Sequence, residues 1–64
     1  MDSSASTDDI KDIQQRLSDA DFYNGAVDGK WGKDTESAMR RFQRANNLPV
    51  TGKLNPETHS VLYP

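Results

Sequence analysis

The chain has no cysteine, and that absence removes both a disulfide framework and a thiolate metal site, the staples on which very small domains commonly rely. Packing must therefore suffice. There is a single histidine, too few to close a zinc site, and with no acid arrangement of convincing spacing around it no serine, histidine and acid constellation can be argued. No cofactor is expected. No apolar run approaches the length of a membrane span or a signal sequence, so no membrane partner is expected, and an export signal, if one exists, is expected outside the chain. Basic residues are not in excess either: 8 Lys and Arg stand against 10 Asp and Glu, a net charge of −2. That balance argues against a surface built wholly for nucleic acid or anionic lipid.

What is present fits one domain with a thin core. At 64 residues, folding buries roughly 60% of the surface of the unfolded chain. Residues 1–6, MDSSAS, are small and polar and read as a disordered linker or tail, leaving 7–64 as the domain. Thr7 can cap a helix, Asp8 and Asp9 suit its first turn, and Ile10, Ile13, Gln14 and Leu17 fall on one stripe. Helix one is expected over 8–20. Asp21 can take the left-handed geometry of a helix terminus, with Phe22 folding back. Between Phe22 and Lys33 the periodicity vanishes and Gly25, Gly29 and Gly32 appear, with turn signals at Asn24-Gly25 and Asp28-Gly29. Helix two follows over 33–46, with Thr35, Ala38, Met39 and Phe42 inward and Glu36 four residues before Arg40. Asn47 is a second left-handed terminator and Leu48 returns to the core. Asn55-Pro56 then caps a short helix over 56–62.

Sliding the sequence by 23 residues lays GKWGKDTESAM, from Gly29 to Met39, over GKLNPETHSVL, from Gly52 to Leu62. One loop-into-helix unit is used twice. Glycine, lysine, threonine and serine coincide, Asp34 meets Glu57, and Trp31 meets Leu54. A position filled by leucine in the sister unit reads first as core, so Trp31 is expected to be an apolar plug before it is a ligand platform. The fold class is therefore all-α: a small three-helix bundle with a glycine-rich loop before helix two and an internal loop-helix repeat.

The ordered set Ile13-Gln14 with Leu17, Phe22-Tyr23-Asn24-Gly25, Val27-Asp28-Gly29-Lys30-Trp31-Gly32, Thr35, Ala38, Phe42-Gln43, Leu48-Pro49-Val50-Thr51-Gly52 and Thr58 resembles the peptidoglycan-binding-domain-like family. The likeness covers nearly all of 10–62. It implies a compact three-helix accessory module that holds a covalently linked catalytic domain of a cell-wall hydrolase on peptidoglycan, outside the cytoplasm. Asp21 and Asn47 stand where that family commonly has glycine, and both residue types tolerate the left-handed region.

A wall binder needs an apolar floor, a cation for carboxylate, an acid for ammonium, and amides for peptide groups. The candidate ligand-binding residues are Tyr23, Asn24, Asp28, Trp31, Arg40, Arg41 and Arg44, set on a groove between the 22–32 loop and helix two. Each has a plainer reading. Tyr23 can close the core, Asp28 can cap turn amides, the arginines can be a solvated helix face, and Trp31 can be the plug just described. A core Trp31 makes Trp31→Ala unfold the domain, whereas a ligand-facing Tyr23 makes Tyr23→Ala nearly silent for stability. Gln14 and Gln43 are expected to bond loop backbone, because a buried loop must satisfy its amides. His59 reads as structural. Catalysis is not expected, since so small a bundle has little room for a desolvated pair of carboxylates.

Two other classes compete with wall binding. Arg40, Arg41 and Arg44 on a three-helix chain suggest a DNA-binding helix-turn-helix. The acidic balance and a third helix poor in base-reading residues oppose it, so no nucleic-acid partner is expected. The other is a protein-interaction or spacer module without wall affinity.

Overall fold

The computed structural model describes residues 7–64; the linker expected over 1–6 lies outside the described residues. Three helices follow in order: α1 (Thr7–Asp19), α2 (Lys33–Ala45) and α3 (Pro56–Leu62). No strand occurs among the described residues. Thr7, expected as a cap, is instead helical, and Asp8 and Asp9 follow in the first described turn of α1. Their charge faces the unsatisfied amides there. Asn55 caps α3 as expected: its Oδ1 accepts from the Thr58 amide at 2.9 Å, with Pro56 at the first helical position.

Both longer helices stop by the same device. Asp21 and Asn47 have φ of 68° and 58°, and each is followed by an apolar residue whose amide reaches back to the last turn. The Phe22 amide donates to the Leu17 carbonyl and the Leu48 amide to the Gln43 carbonyl, both at 2.8 Å. This six-to-one closure is the Schellman arrangement, which lets the chain turn without orphaned carbonyls. Phe22 then meets Phe42 edge to face, with ring centroids 5.6 Å apart.

The core is small: Ile13, Leu17, Tyr23, Ala38, Met39, Phe42 and Leu62, with Phe22, Leu48, Leu54 and Tyr63 packed against it. Four buried polar side chains, Gln14, Thr35, Gln43 and Thr58, complete the interior. They are where the repeat acts. Gln14 Nε2 donates to the Lys30 carbonyl at 2.8 Å and to Thr35 Oγ1 at 2.9 Å, while its Oε1 accepts from the Gly29 amide at 2.9 Å. Gln43 Nε2 donates to the Lys53 carbonyl at 2.8 Å and to Thr58 Oγ1 at 3.0 Å, while its Oε1 accepts from Gly52 at 2.9 Å. The partners correspond under the 23-residue shift. Gly29 and Gly52 lie at φ 79° and 76°, where a side chain is strained. The residue before each also matches in role: Asp28 Oδ1 accepts from the Lys30 amide at 2.9 Å, and Thr51 Oγ1 from the Lys53 amide at 3.2 Å.

Each glutamine thus replaces a strand ladder for its loop. An unpartnered buried amide or carbonyl costs about 1–3 kcal/mol, so these bonds decide whether the loops can be interior at all. No buried side-chain nitrogen or oxygen among the described residues lacks a partner.

The third helix is docked on the first through Tyr63. Its hydroxyl donates to Asp12 Oδ2 at 2.6 Å, the Arg16 guanidinium lies 4.1 Å from its ring centroid, and the His59 ring stacks on it at 4.8 Å. His59 is thus structural, as expected. Burial first, then the bond to the Asp12 carboxylate, push the Tyr63 hydroxyl from 10.0 up to about 12. The folded-state value lies above the unfolded one, so this contribution is complete below pH 10.0 and is lost as pH rises through about 12. Denaturant melts are expected to show stability falling across that window, with a shallower fall in Tyr63→Phe. Identical slopes for the two proteins would show that the hydroxyl is not coupled to folding.

Candidate functional site

One face of α2 runs along the edge of the core, with Asp34, Ser37 and Arg41 exposed beside buried Ala38. Asp34, Ser37, Ala38 and Arg41 recur at helical spacings of three and four and form a single stripe. The Schellman turn after α1 brings Phe22, Tyr23, Asn24 and Gly25 opposite that stripe, and the two sides enclose a groove of about 330 Å³. Ala38 keeps the middle open because it is small. Tyr23 forms part of the groove wall but is only 5% exposed. Its hydroxyl donates to the Ala26 carbonyl at 2.6 Å and also accepts from Gln14 Nε2 at 3.4 Å, so it is fully engaged. Gly25 is required by this ring: a Cβ there would lie 2.6 Å from the Tyr23 oxygen.

Two ion pairs within the helices engage charged groups outside the groove. Arg16 pairs with Asp12 at 3.3 Å and Arg40 with Glu36 at 3.8 Å. Asp34 and Arg41, at the two ends of the groove stripe, have no ion pair or side-chain hydrogen bond among the described residues. Asn24 and Ser37 are likewise exposed. The groove therefore offers an acid, a cation, an amide and a hydroxyl beside an aromatic and aliphatic wall. Among the described residues no cluster of three His, Asp or Glu is placed to hold a metal ion.

The candidates from sequence divide on this geometry. Tyr23, Asn24 and Arg41 line the groove; Asp28, Trp31, Arg40 and Arg44 do not. Asp28 Oδ1 accepts from the Lys30 amide and from Gln14 Nε2 at 3.2 Å, which makes it a turn residue. Those bonds, the Lys30 amide first, hold its carboxyl below the ordinary carboxylate range. Arg40 is engaged by Glu36 and lies against the second loop, where a Cβ on Gly52 would meet its Nε at 3.0 Å. Trp31 corrects an expectation: it is 36% exposed and outside the core cluster, whereas its counterpart Leu54 packs on that cluster. The buried aromatic of the first unit is Tyr23, for which the second unit has exposed Asn46. Asp34 and Ser37 were missed. Their spacing with Ala38 and Arg41 was available in the sequence as a polar stripe, but only the turn packed opposite makes it a wall.

With this geometry in hand, likeness to known proteins becomes informative. Residues 6–62 match the family described as "Putative peptidoglycan binding domain". The chain belongs to this peptidoglycan-binding family. The domain is 43% identical over 56 residues to the N-acetylmuramoyl-L-alanine amidase CwlM of Mycobacterium tuberculosis, covering 88% of this chain and 14% of that protein. It is 41% identical over 58 residues to the spore cortex-lytic enzyme of Bacillus cereus, covering 91% of this chain and 22% of that protein. Among solved structures, the SleB N-terminal domain superposes with a TM-score of 0.86 at 39% identity, covering 97% of this chain and 85% of that one. The peptidoglycan-binding domain thus spans less than a quarter of either curated relative.

The two aromatic residues are expected to exchange the mutational behaviour that the repeat alone suggests. Tyr23→Ala should cost about 3–5 kcal/mol, as for other buried aromatics. Trp31→Ala should cost about 1 kcal/mol, in the ordinary range of single substitutions. Chemical denaturation of both variants checks this, and a larger loss for Trp31→Ala would return Trp31 to the core.

Proposed function

We propose that this domain binds peptidoglycan without modifying it, through the groove between the 22–25 turn and α2. In this reading it holds a linked catalytic domain on the cell wall, outside the cytoplasm. The observation that carries the reading is the groove itself. It brings an unengaged acid and an unengaged cation, Asp34 and Arg41, together with an apolar wall and two small polar side chains. Peptidoglycan presents the complementary set: acyl and sugar surfaces, peptide amides, carboxylates and, in many walls, an ammonium. Membership in the family and the wall-degrading names of the two relatives support the same conclusion. In those relatives most of the chain lies beyond the matched region, which leaves the catalytic work to that remainder.

The DNA-binding alternative gains little from the structure. α3, PETHSVL, carries no Lys, Arg, Asn or Gln to read base edges. Two of the arginines that motivated it are accounted for, Arg40 by Glu36 and Arg41 by the groove.

Co-sedimentation with purified sacculi tests the proposal. The parent chain is expected to pellet, and Ser37→Trp, which fills the groove from an exposed helix position, is expected to stay in the supernatant with an unchanged thermal melt. Equal pelleting of a folded Ser37→Trp variant would remove the groove from the mechanism. A supernatant parent chain would remove wall binding altogether.

A further inference from the structure

The groove's charges constrain which part of the polymer it takes. Asp34 and Arg41 are seven residues apart on α2, so their Cα atoms are separated by about 10.5 Å along the axis and lie on the same side, two turns apart. They do not pair with each other. Elsewhere on the described helices, acids and bases four residues apart do pair, Asp12 with Arg16 and Glu36 with Arg40. The longer spacing holds the groove's acid and cation apart, with Ser37 and Ala38 between them.

That gap has a natural occupant. The ammonium nitrogen and a carboxylate oxygen on one α-carbon are roughly 3 Å apart. Adding a charge-assisted hydrogen bond of roughly 2.8 Å at each end gives about 9 Å from Asp34 oxygen to Arg41 nitrogen, a span these two side chains can bracket. A sugar offers neither charge, and a simple carboxylate would leave Asp34 facing a like charge.

We propose, resting on the wall-binding reading, that the groove recognises a free amino-acid head: the side-chain ammonium and carboxylate of a diamino acid in the stem peptide. Asp34 receives the ammonium and Arg41 the carboxylate. The methylene chain of the diamino acid runs along Phe22, Tyr23 and Ala38, and Asn24 and Ser37 face the peptide amides. The recognition has a consequence for the wall. Cross-linking acylates that amine, which removes the positive charge and adds an acyl group where Asp34 must approach. The domain therefore selects stem peptides whose own side-chain amine has not been acylated by a cross-link.

The test titrates the 64-residue chain with three synthetic stem tripeptides, followed by amide chemical shifts. One ends in meso-diaminopimelate, the second has its side-chain amine acetylated, and the third has its side-chain carboxylate amidated. Acetylation and amidation are each expected to weaken binding about three- to tenfold, as for single partly exposed charge pairs. Asp34→Asn should reduce the sensitivity to acetylation, leaving only the effect of acyl bulk, while keeping that to amidation, and Arg41→Gln should lose the sensitivity to amidation while keeping that to acetylation. Both positions are exposed and unpaired, so both variants are expected to stay folded, Arg41→Gln with the parent's melt and Asp34→Asn slightly lower for the lost charge in the first turn of α2. Equal affinity of the parent chain for free and acetylated peptides would overturn the proposal, as would discrimination that is undiminished in Asp34→Asn. A chain that pellets with sacculi but binds none of the peptides refutes this assignment alone. A chain that does not pellet refutes the wall-binding reading and this one with it.

Discussion

The domain depends on a buried primary amide, used twice. A loop that passes through the interior without a strand partner must find donors and acceptors for its backbone, and here a single side chain supplies both. Gln14 and Gln43 each accept from a glycine amide and donate to the next residue's carbonyl and to a helix threonine. Only a neutral amide offers a donor and an acceptor side by side; a carboxylate of the same length would set an oxygen against the Lys30 or Lys53 carbonyl. The network also determines which way each amide points, because the reversed orientation would face amide to amide. The chain has no cysteine and the core has seven buried apolar residues among the described residues, so these two clusters are what hold the loops between the helices in place.

The hydrogen bonding of the loops explains why a groove exists. Side chains that hold the fold are chemically engaged: Tyr23 by Ala26 and Gln14, Asp28 by Lys30, Arg40 by Glu36. What is left unengaged beside the turn after α1 is a small set of groups of differing chemistry, Asn24, Asp34, Ser37 and Arg41. A binding surface on a domain this small is defined as much by the groups withdrawn into structure as by those left in solvent. The aromatic part of the groove wall is formed by Phe22 and by Tyr23, whose ring is held by its hydroxyl, and the larger Trp31 lies outside it.

Much of this was legible in the sequence, and the parts that were not share a cause. Helix limits were readable because the signals are local: Asp21 and Asn47 take the left-handed geometry, and Asn55-Pro56 caps α3. The repeat correctly paired Gly29 with Gly52 and Thr35 with Thr58, since those positions are tied to their own unit's glutamine. It misled at Trp31, because side-chain burial depends on what lies across the domain, and there the units differ. Tyr23 occupies the interior of the first unit, whereas the second has Leu54 turned inward and Asn46 in solvent. Asp34 and Ser37 escaped notice for the same reason. Nothing local distinguishes a helix stripe facing a turn from one facing water.

The central claim is that one buried amide satisfies each loop, and backbone hydrogen exchange addresses it residue by residue. If Gln14 and Gln43 hold the loops as described, the Gly29 and Gly52 amides, though outside any helix, will exchange as slowly as the Met39 amide in the middle of α2. The amide of Val27, in the exposed part of the first loop, will exchange rapidly. Gly29 and Gly52 exchanging at the rate of Val27 would show that the loops open freely, and would contradict the account.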